Sequence, residues 1–181
     1  QELKIHLHIG SLALRFSPEK AVNRSFLIGP DGNVLASYDK IHMFDVDLAA
    51  SEVRRLAAKG CHAVTFSENP EALNMPSIHS GAWDPLFAAC CDSGTVLCCH
   101  LGSSSRTPMS ASDAPPGVNM STSSAASIFT LIDLVWATFW TRFPTLKFSL
   151  TEGDIGWIPY FLWRAEHVRD RHQGWIQHDF T

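Results

Sequence analysis

The alternation of apolar and polar positions changes its period along the chain. Through the first quarter the period is two, that of half-buried strands. Lys4–Ile9 and Leu12–Phe16 alternate in this way, and two further apolar runs, Arg24–Gly29 and Asn33–Tyr38, flank Gly29-Pro30-Asp31-Gly32-Asn33. A Pro-Asp-Gly centre between two such runs is a turn signal, so 24–38 reads as a β-hairpin. Ile41–Phe44 is a candidate for a further short strand.

From Leu48 onward, helical and strand patterns take turns. Leu48–Lys59 holds helix formers, with Gly60 behind it as a C-cap. His62–Phe66 is β-branched and aromatic, and Ser67-Glu68-Asn69-Pro70 opens a turn. Trp83–Cys91 reads as a helix with Pro85 in its first turn. Thr95–His100 is an apolar strand ending in histidine, and Gly102–Ser124 is a long loop rich in serine and proline. Ala125–Arg142 reads as a helix, Leu146–Leu150 as a strand, and Pro159–His172 as a helix with Pro159 near its first turn. The order is αβαβαβα, which predicts an α/β fold with a parallel sheet and helices on its faces. Right-handed crossovers then place 62–66, 95–100 and 146–150 side by side, parallel and in that order. The long loop follows the C-terminal end of a strand, where α/β folds carry their sites, and reads as a substrate-covering segment.

Length and charge narrow the picture. The chain has 181 residues, fewer than the roughly 250 of a complete eight-stranded (β/α) barrel. Its net charge is −4 with scattered lysines and arginines, which predicts neither a nucleic-acid nor a membrane-surface partner. Five cysteines, at 61, 90, 91, 98 and 99, lack the CxxC spacing of a zinc ribbon and read as buried thiols of a reducing compartment. The opening QELKIHLHIG has neither a basic start nor an apolar h-region, so no secretory leader is expected and the protein reads as cytoplasmic. No apolar run is expected to reach the roughly 20 residues of a spanning helix; the longest candidate, Ser127–Trp140, is broken by Asp133.

The chemistry-bearing residues collect at strand ends. Glu68, His100 and Glu152 each lie at or just beyond the C-terminal end of an expected strand. In a parallel barrel the three converge on one rim. A histidine with two carboxylates can hold a divalent metal or act as acid and base around a bound water. Each residue alone also fits an ordinary strand cap or loop contact.

Three segments carry a resemblance. CHAVTFSENPEALNMPSIHSGAWDPLFAAC, TVLCCHLGSSS and LKFSLTEGDIGWIPYFLWRAEHVRDRH are similar, in order and over roughly 52–175, to the metal-dependent amidohydrolase family that includes aminocarboxymuconate-semialdehyde decarboxylase. The resemblance implies a partial (β/α) barrel of parallel strands, of the TIM-barrel type, over 51–181. It also implies a divalent metal, usually zinc, and a hydrolase or non-oxidative decarboxylase acting on a small organic substrate. By the same resemblance His100 stands at a metal-ligand position. Glu152 occupies the place of a catalytic histidine in the decarboxylase branch, and Asp154 stands where glycine is usual. His79 and Trp83 match positions that line the substrate pocket; Glu68 is added to them as a substrate contact. The family's site also uses an HxH pair on the first strand and an aspartate on the eighth. His6-Leu7-His8 has the HxH spacing, and strand alternation would point both rings to one face. No counterpart of the aspartate is expected.

The first quarter resembles a different family. IHLHIGSLAL and NRSFLIGPDGNVLASYDKIHMFDVDL are similar, over roughly 5–48, to the nitrilases, which attack carbon–nitrogen bonds with a cysteine assisted by a glutamate and a lysine. Tyr38-Asp39-Lys40-Ile41-His42 matches the stretch that carries the lysine, so Lys40 takes that position, with Asp39 in place of a usual arginine. This implies a nitrilase-type β fragment over 1–50 ahead of the partial barrel. One triad member without its nucleophile and base does not catalyse.

Three functions follow as expectations: a metal-dependent amidohydrolase-type hydrolase or decarboxylase, a nitrilase-like amidase, and a non-catalytic partial domain. A catalytic zinc takes three protein ligands, so the ligand count separates them. The unpaired edges of a partial barrel predict self-association into a homo-oligomer.

Overall fold

A computed structural model describes residues 4–17, 20–39, 45–106 and 108–176. The chain packs as two compact units that divide between Met43 and Phe44. The expected boundary at 50/51 lies inside a helix that packs as one piece with the second unit.

The first unit is an antiparallel sheet of three strands, β1 (Leu7–Ser17), β2 (Lys20–Ile28) and β3 (Val34–Asp39), in that order. The two short runs expected at the start are one strand, and the register shift between Ile9 and Leu12 separates their patterns. The expected hairpin is β2–β3. Its turn closes through Gly29 N to Asn33 O at 2.8 Å and Gly32 N to Gly29 O at 2.9 Å, with Gly32 at φ +80°. That left-handed residue is why a glycine follows Pro30-Asp31. Arg24 pairs across the strands with Asp39, Nη2 to Oδ2 at 2.7 Å, and this guanidinium bond holds the Asp39 carboxyl below its ordinary range. The expected strand 41–44 lies outside the described residues.

The second unit runs α1 (Val46–Ala57), β4 (Ala63–Ser67), α2 (Asp84–Ser93), β5 (Val96–His100), α3 (Pro116–Thr122), α4 (Ala125–Val135), β6 (Lys147–Thr151) and α5 (Ile158–Arg171), with 3-10 turns at Pro70–Leu73 and Thr138–Thr141. Asp45 caps α1, its Oδ1 accepting from Leu48 N at 2.9 Å. Both α1 and α2 end in the same way. The amides of Gly60 and Cys61 reach back to Ala57 O and Leu56 O, and those of Gly94 and Thr95 to Cys91 O and Cys90 O. Left-handed Gly60 and Gly94, at φ +84° and +67°, make these C-terminal turns sterically free.

The sheet is parallel in the order β4-β5-β6, as the crossover argument requires. Its register sorts the side chains into two faces. Val64, Leu97 and Phe148 form one row and Phe66, Cys99 and Leu150 the next, all on the same face. Phe66, Leu97 and Cys99 are fully buried. Here the aromatic core assembles: Phe66 meets Trp83 edge-on at 5.0 Å, and Phe87 meets Phe139 at 4.8 Å and Phe148 at 6.0 Å. The opposite face carries Thr65, Cys98 and Ser149, then Ser67, His100 and Thr151. These are small or polar residues.

Two expected elements differ. The helix expected to end at Arg142 stops at Val135, and Ala137 is already extended at ψ 134°. Aromatic and β-branched residues crowd 136–141, and the Trp140 indole donates to Leu134 O at 2.6 Å, a carbonyl no longer used inside a helix. The loop 102–124 contains α3. Ser123 and Ser124 stay right-handed between α3 and α4. So 116–135 forms a helical stretch of 20 residues, apolar and long enough to cross a membrane, against the expectation that no run reaches that length.

All five cysteines are free thiols. Burial pushes the Cys90 and Cys99 thiols up to about 12, and only a thiolate is nucleophilic. A thiol reagent at pH 8 is therefore expected to leave these two unlabelled in the native protein and to modify all five in denaturant. Fast native labelling of Cys90 and Cys99, read by peptide mass spectrometry, would contradict this packing.

Candidate functional site

Strands β4, β5 and β6 end on one rim and bring Glu68, His100 and Glu152 there. Register places Ser67, His100 and Thr151 side by side, so Glu68 and Glu152 each follow a residue level with His100. The resulting pair is His100 and Glu152, with Nε2 and Oε2 3.5 Å apart and both side chains partly open to solvent.

The imidazole is oriented from its other side. His100 Nδ1 lies 2.7 Å from Leu101 O. A carbonyl only accepts, so Nδ1 carries the proton and Nε2 presents its lone pair, or a second proton, towards Glu152.

Glu152 is held by an unusual turn. It has φ +63° and Asp154 has φ +57°, left-handed values that cost a long side chain about 1–3 kcal/mol. Gly153 between them has no room for a side chain: a Cβ there would stand 2.2 Å from Ser127 Oγ, and Ser127 is buried on α4. Trp157 Nε1 also donates to Gly153 O at 2.6 Å. The turn is thus clamped between α4 and the start of α5, and that clamp sustains the strain at Glu152.

Glu68 is not an open substrate contact. It is 4% exposed, and its Oε1 accepts from Gly102 N at 3.0 Å, Ser104 N at 3.5 Å and Ser104 Oγ at 2.8 Å. Its own amide donates to Ser103 Oγ at 2.9 Å, and its carbonyl accepts from Thr130 Oγ1 at 3.1 Å. The residue ties the end of β4 to the turn after β5 and to α4. Its Oε2 is buried without a hydrogen-bond partner.

His79 lies at a polar cleft of about 110 Å³ lined by Glu68, Asn69, Glu71, Thr130 and Asp133 among others. Its Nε2 is 3.4 Å from Asp133 Oδ1. Trp83 is fully enclosed, its indole donating to Pro76 O at 3.0 Å, and so belongs to the core. His8 lies on β1 opposite Leu27 and His6 precedes that strand; both belong to the first unit. Lys40 lies outside the described residues. Sequence reasoning missed Ser103, Ser104, Ser127, Thr130 and Asp133. Their signal was weak: a run of serines beginning three residues after His100 and one acid inside an apolar helix.

A structure of an amidohydrolase from Mycobacterium avium subsp. paratuberculosis K-10 is similar to this chain, with a TM-score of 0.61 and 20% sequence identity. The likeness is one of fold. It covers 77% of this chain and 37% of the mycobacterial one, so the chain spans little more than a third of that protein's length. No family model matches the chain, and no curated protein matches it. The likeness thus lies in an α/β fold, and in this chain the ends of β4, β5 and β6 form the rim that carries His100 and Glu152.

Among the described residues no group of three histidine, cysteine or acidic side chains is placed to hold a metal ion. His100 and Glu152 supply two donors, fewer than the three of a catalytic zinc centre. The described donors do not fit a complete metal centre.

Proposed function

We propose that the chain is a hydrolase of the amidohydrolase type, acting on a carbon–nitrogen bond of a small organic substrate, with His100 and Glu152 as its acid–base pair. The observation that carries this reading is the His100 imidazole, fixed at Nδ1 by a carbonyl and facing a strained carboxylate at Nε2. In this reading Nε2 takes a proton from a water molecule that attacks the substrate carbonyl. Glu152 balances the imidazolium, which returns the proton to the departing nitrogen. The cleft beside His79 is the proposed contact for the rest of the substrate. A decarboxylase acting on a related carboxylic acid is the finer alternative drawn from the sequence resemblance, and it rests on the same rim. Turnover tests the reading: purified protein is incubated with simple amides, ureas and unsaturated carboxylic acids. Amide or urea cleavage supports it, carbon dioxide release favours the decarboxylase, and neither sinks both.

The donor count favours one other reading, a partial domain without turnover, because among the described residues no three metal-ligating groups meet. The nitrilase-type assignment of 5–48 remains a proposal from the residues, and Lys40→Ala is expected to leave turnover unchanged, since one triad member alone does not catalyse.

Zinc, with His100 as a ligand, is a separate proposal that rests on the sequence resemblance. It predicts roughly stoichiometric zinc in purified protein and its loss in His100→Ala. Metal analysis that finds almost none in either would remove it.

A further inference from the structure

The buried Glu68 carboxylate and the His100 ring are joined through a single peptide plane. Glu68 Oε1 accepts from Gly102 N at 3.0 Å. The carbonyl of that same peptide unit belongs to Leu101, and it stands 2.7 Å from His100 Nδ1. We infer that Glu68 is a positioning residue for His100, acting through the Leu101–Gly102 peptide to hold the imidazole in its Nδ1–H tautomer.

The physics follows from how an amide polarises. A carboxylate on the N–H side draws the proton towards itself and shifts electron density to the carbonyl oxygen. That oxygen becomes a stronger acceptor for Nδ1–H, because hydrogen bonds in a chain reinforce one another in a low-dielectric interior. A bond to a charged acceptor is also stronger than one to a neutral acceptor. Ligating and catalytic histidines are commonly fixed by such a partner on the second nitrogen; here a peptide stands between the ring and the carboxylate. The surroundings hold the relay in place. Ser104 Oγ and Ser104 N bond the same carboxylate oxygen, Ser103 Oγ takes the Glu68 amide, and Ser103 N returns to His100 O at 3.1 Å. Leu101 N donates to Thr151 O at 3.0 Å, which ties the preceding His100–Leu101 peptide to β6. These bonds hold the peptide's orientation, and Glu68 is the group among them able to carry charge. This also accounts for the carboxylate's burial, which a surface cap would not need.

Because Nδ1 is committed to the carbonyl, Nε2 alone faces Glu152 and the rim. The relay thus decides which nitrogen is offered for chemistry, and it deepens the proposed function without depending on turnover.

The test is the imidazole spectrum of the uniformly ¹⁵N-labelled full chain, with the His100 resonances assigned by their absence in His100→Ala. In the wild type Nδ1 should carry the proton of neutral His100 and Nε2 should not. Glu68→Gln keeps an acceptor oxygen but removes the charge; it is expected to move the His100 Nδ1–H proton resonance upfield and shift the tautomer ratio towards Nε2–H. Glu68→Ala removes the acceptor and should shift that ratio by about twofold, the size expected when the Nδ1–H bond loses about 10–30% of its strength. A merely structural Glu68 would leave the spectrum of the folded Gln variant unchanged, and that result overturns the inference. Should Glu68→Ala fail to fold, the isosteric Gln variant still decides. The readout comes from free protein, so it is separate from whether any substrate is turned over.

Discussion

Trp83→Ala is expected to lower the stability of the second unit by about 3–5 kcal/mol, the usual cost of truncating a fully buried large aromatic. The ring is 0% exposed and meets Phe66, itself 0% exposed, edge-on at 5.0 Å. Phe66 is in turn the residue of β4 that joins the sheet to the aromatic cluster of Phe87 and Phe148. Removing the indole opens a cavity and frees the Pro76 carbonyl, which now accepts from Nε1 at 3.0 Å. Pro76 is an exposed residue, so water can take the indole's place and the lost bond adds only about 0.5–1.5 kcal/mol. A single domain has about 5–15 kcal/mol in total, so this one change consumes a large part of it. Urea unfolding followed by far-ultraviolet circular dichroism should show the midpoint fall sharply. Trp83→Phe, which keeps a ring and loses only the indole bond, should fall by about a third as much. A loss under about 1 kcal/mol in the alanine variant would mean that the core is not organised around this residue.

The same residue shows what could be read in the sequence. Trp83 stands in HSGAWDPLF, a stretch matched to a family's pocket-lining positions, and burial cannot be read from a family match. The strand order and parallel sense were legible, because three apolar runs separated by helical patterns leave the chain few right-handed ways to connect them. The rim was legible for the same reason: a residue one step past a strand's end has its place set by the strand. Contacts formed between segments far apart in sequence were not. Ser104 reaches Glu68 across 36 residues and Thr130 reaches it across 62, and no periodicity records such a meeting. The helix end at Val135 was only weakly marked, by the aromatic and β-branched residues of 136–141, and the Trp140 indole bond to the Leu134 carbonyl that accompanies it leaves no trace in the apolar pattern. Gly153 shows the mixed case. A glycine in a turn is ordinary, but the close approach of Ser127 that requires it lies on another helix.

His100→Ala is expected to reduce kcat/KM on whichever substrate is turned over by about 10²–10⁴, the range of a positioned general acid–base. Glu152 offers a sharper discrimination because its backbone and its carboxylate make opposite demands. At φ +63° a glutamate is strained and a glycine is not. Glu152→Gly should therefore raise the unfolding free energy, by about 1 kcal/mol after the extra chain entropy of glycine is set against the strain it relieves. It should at the same time lower turnover, by roughly tenfold or more, because nothing then balances a protonated His100 at 3.5 Å. Glu152→Gln keeps the backbone strain and loses the charge; it should lose activity without gaining stability. Added to His100→Ala, either substitution should cost little more, since groups that act as a unit are not additive. Thermal unfolding and initial rates on the wild type, the three single variants and the two double variants distinguish this from a structural role. A Glu152→Gly variant that is more stable and fully active would show the left-handed glutamate to be incidental to the site. A variant that is more stable and impaired is what an active site maintained against local strain requires.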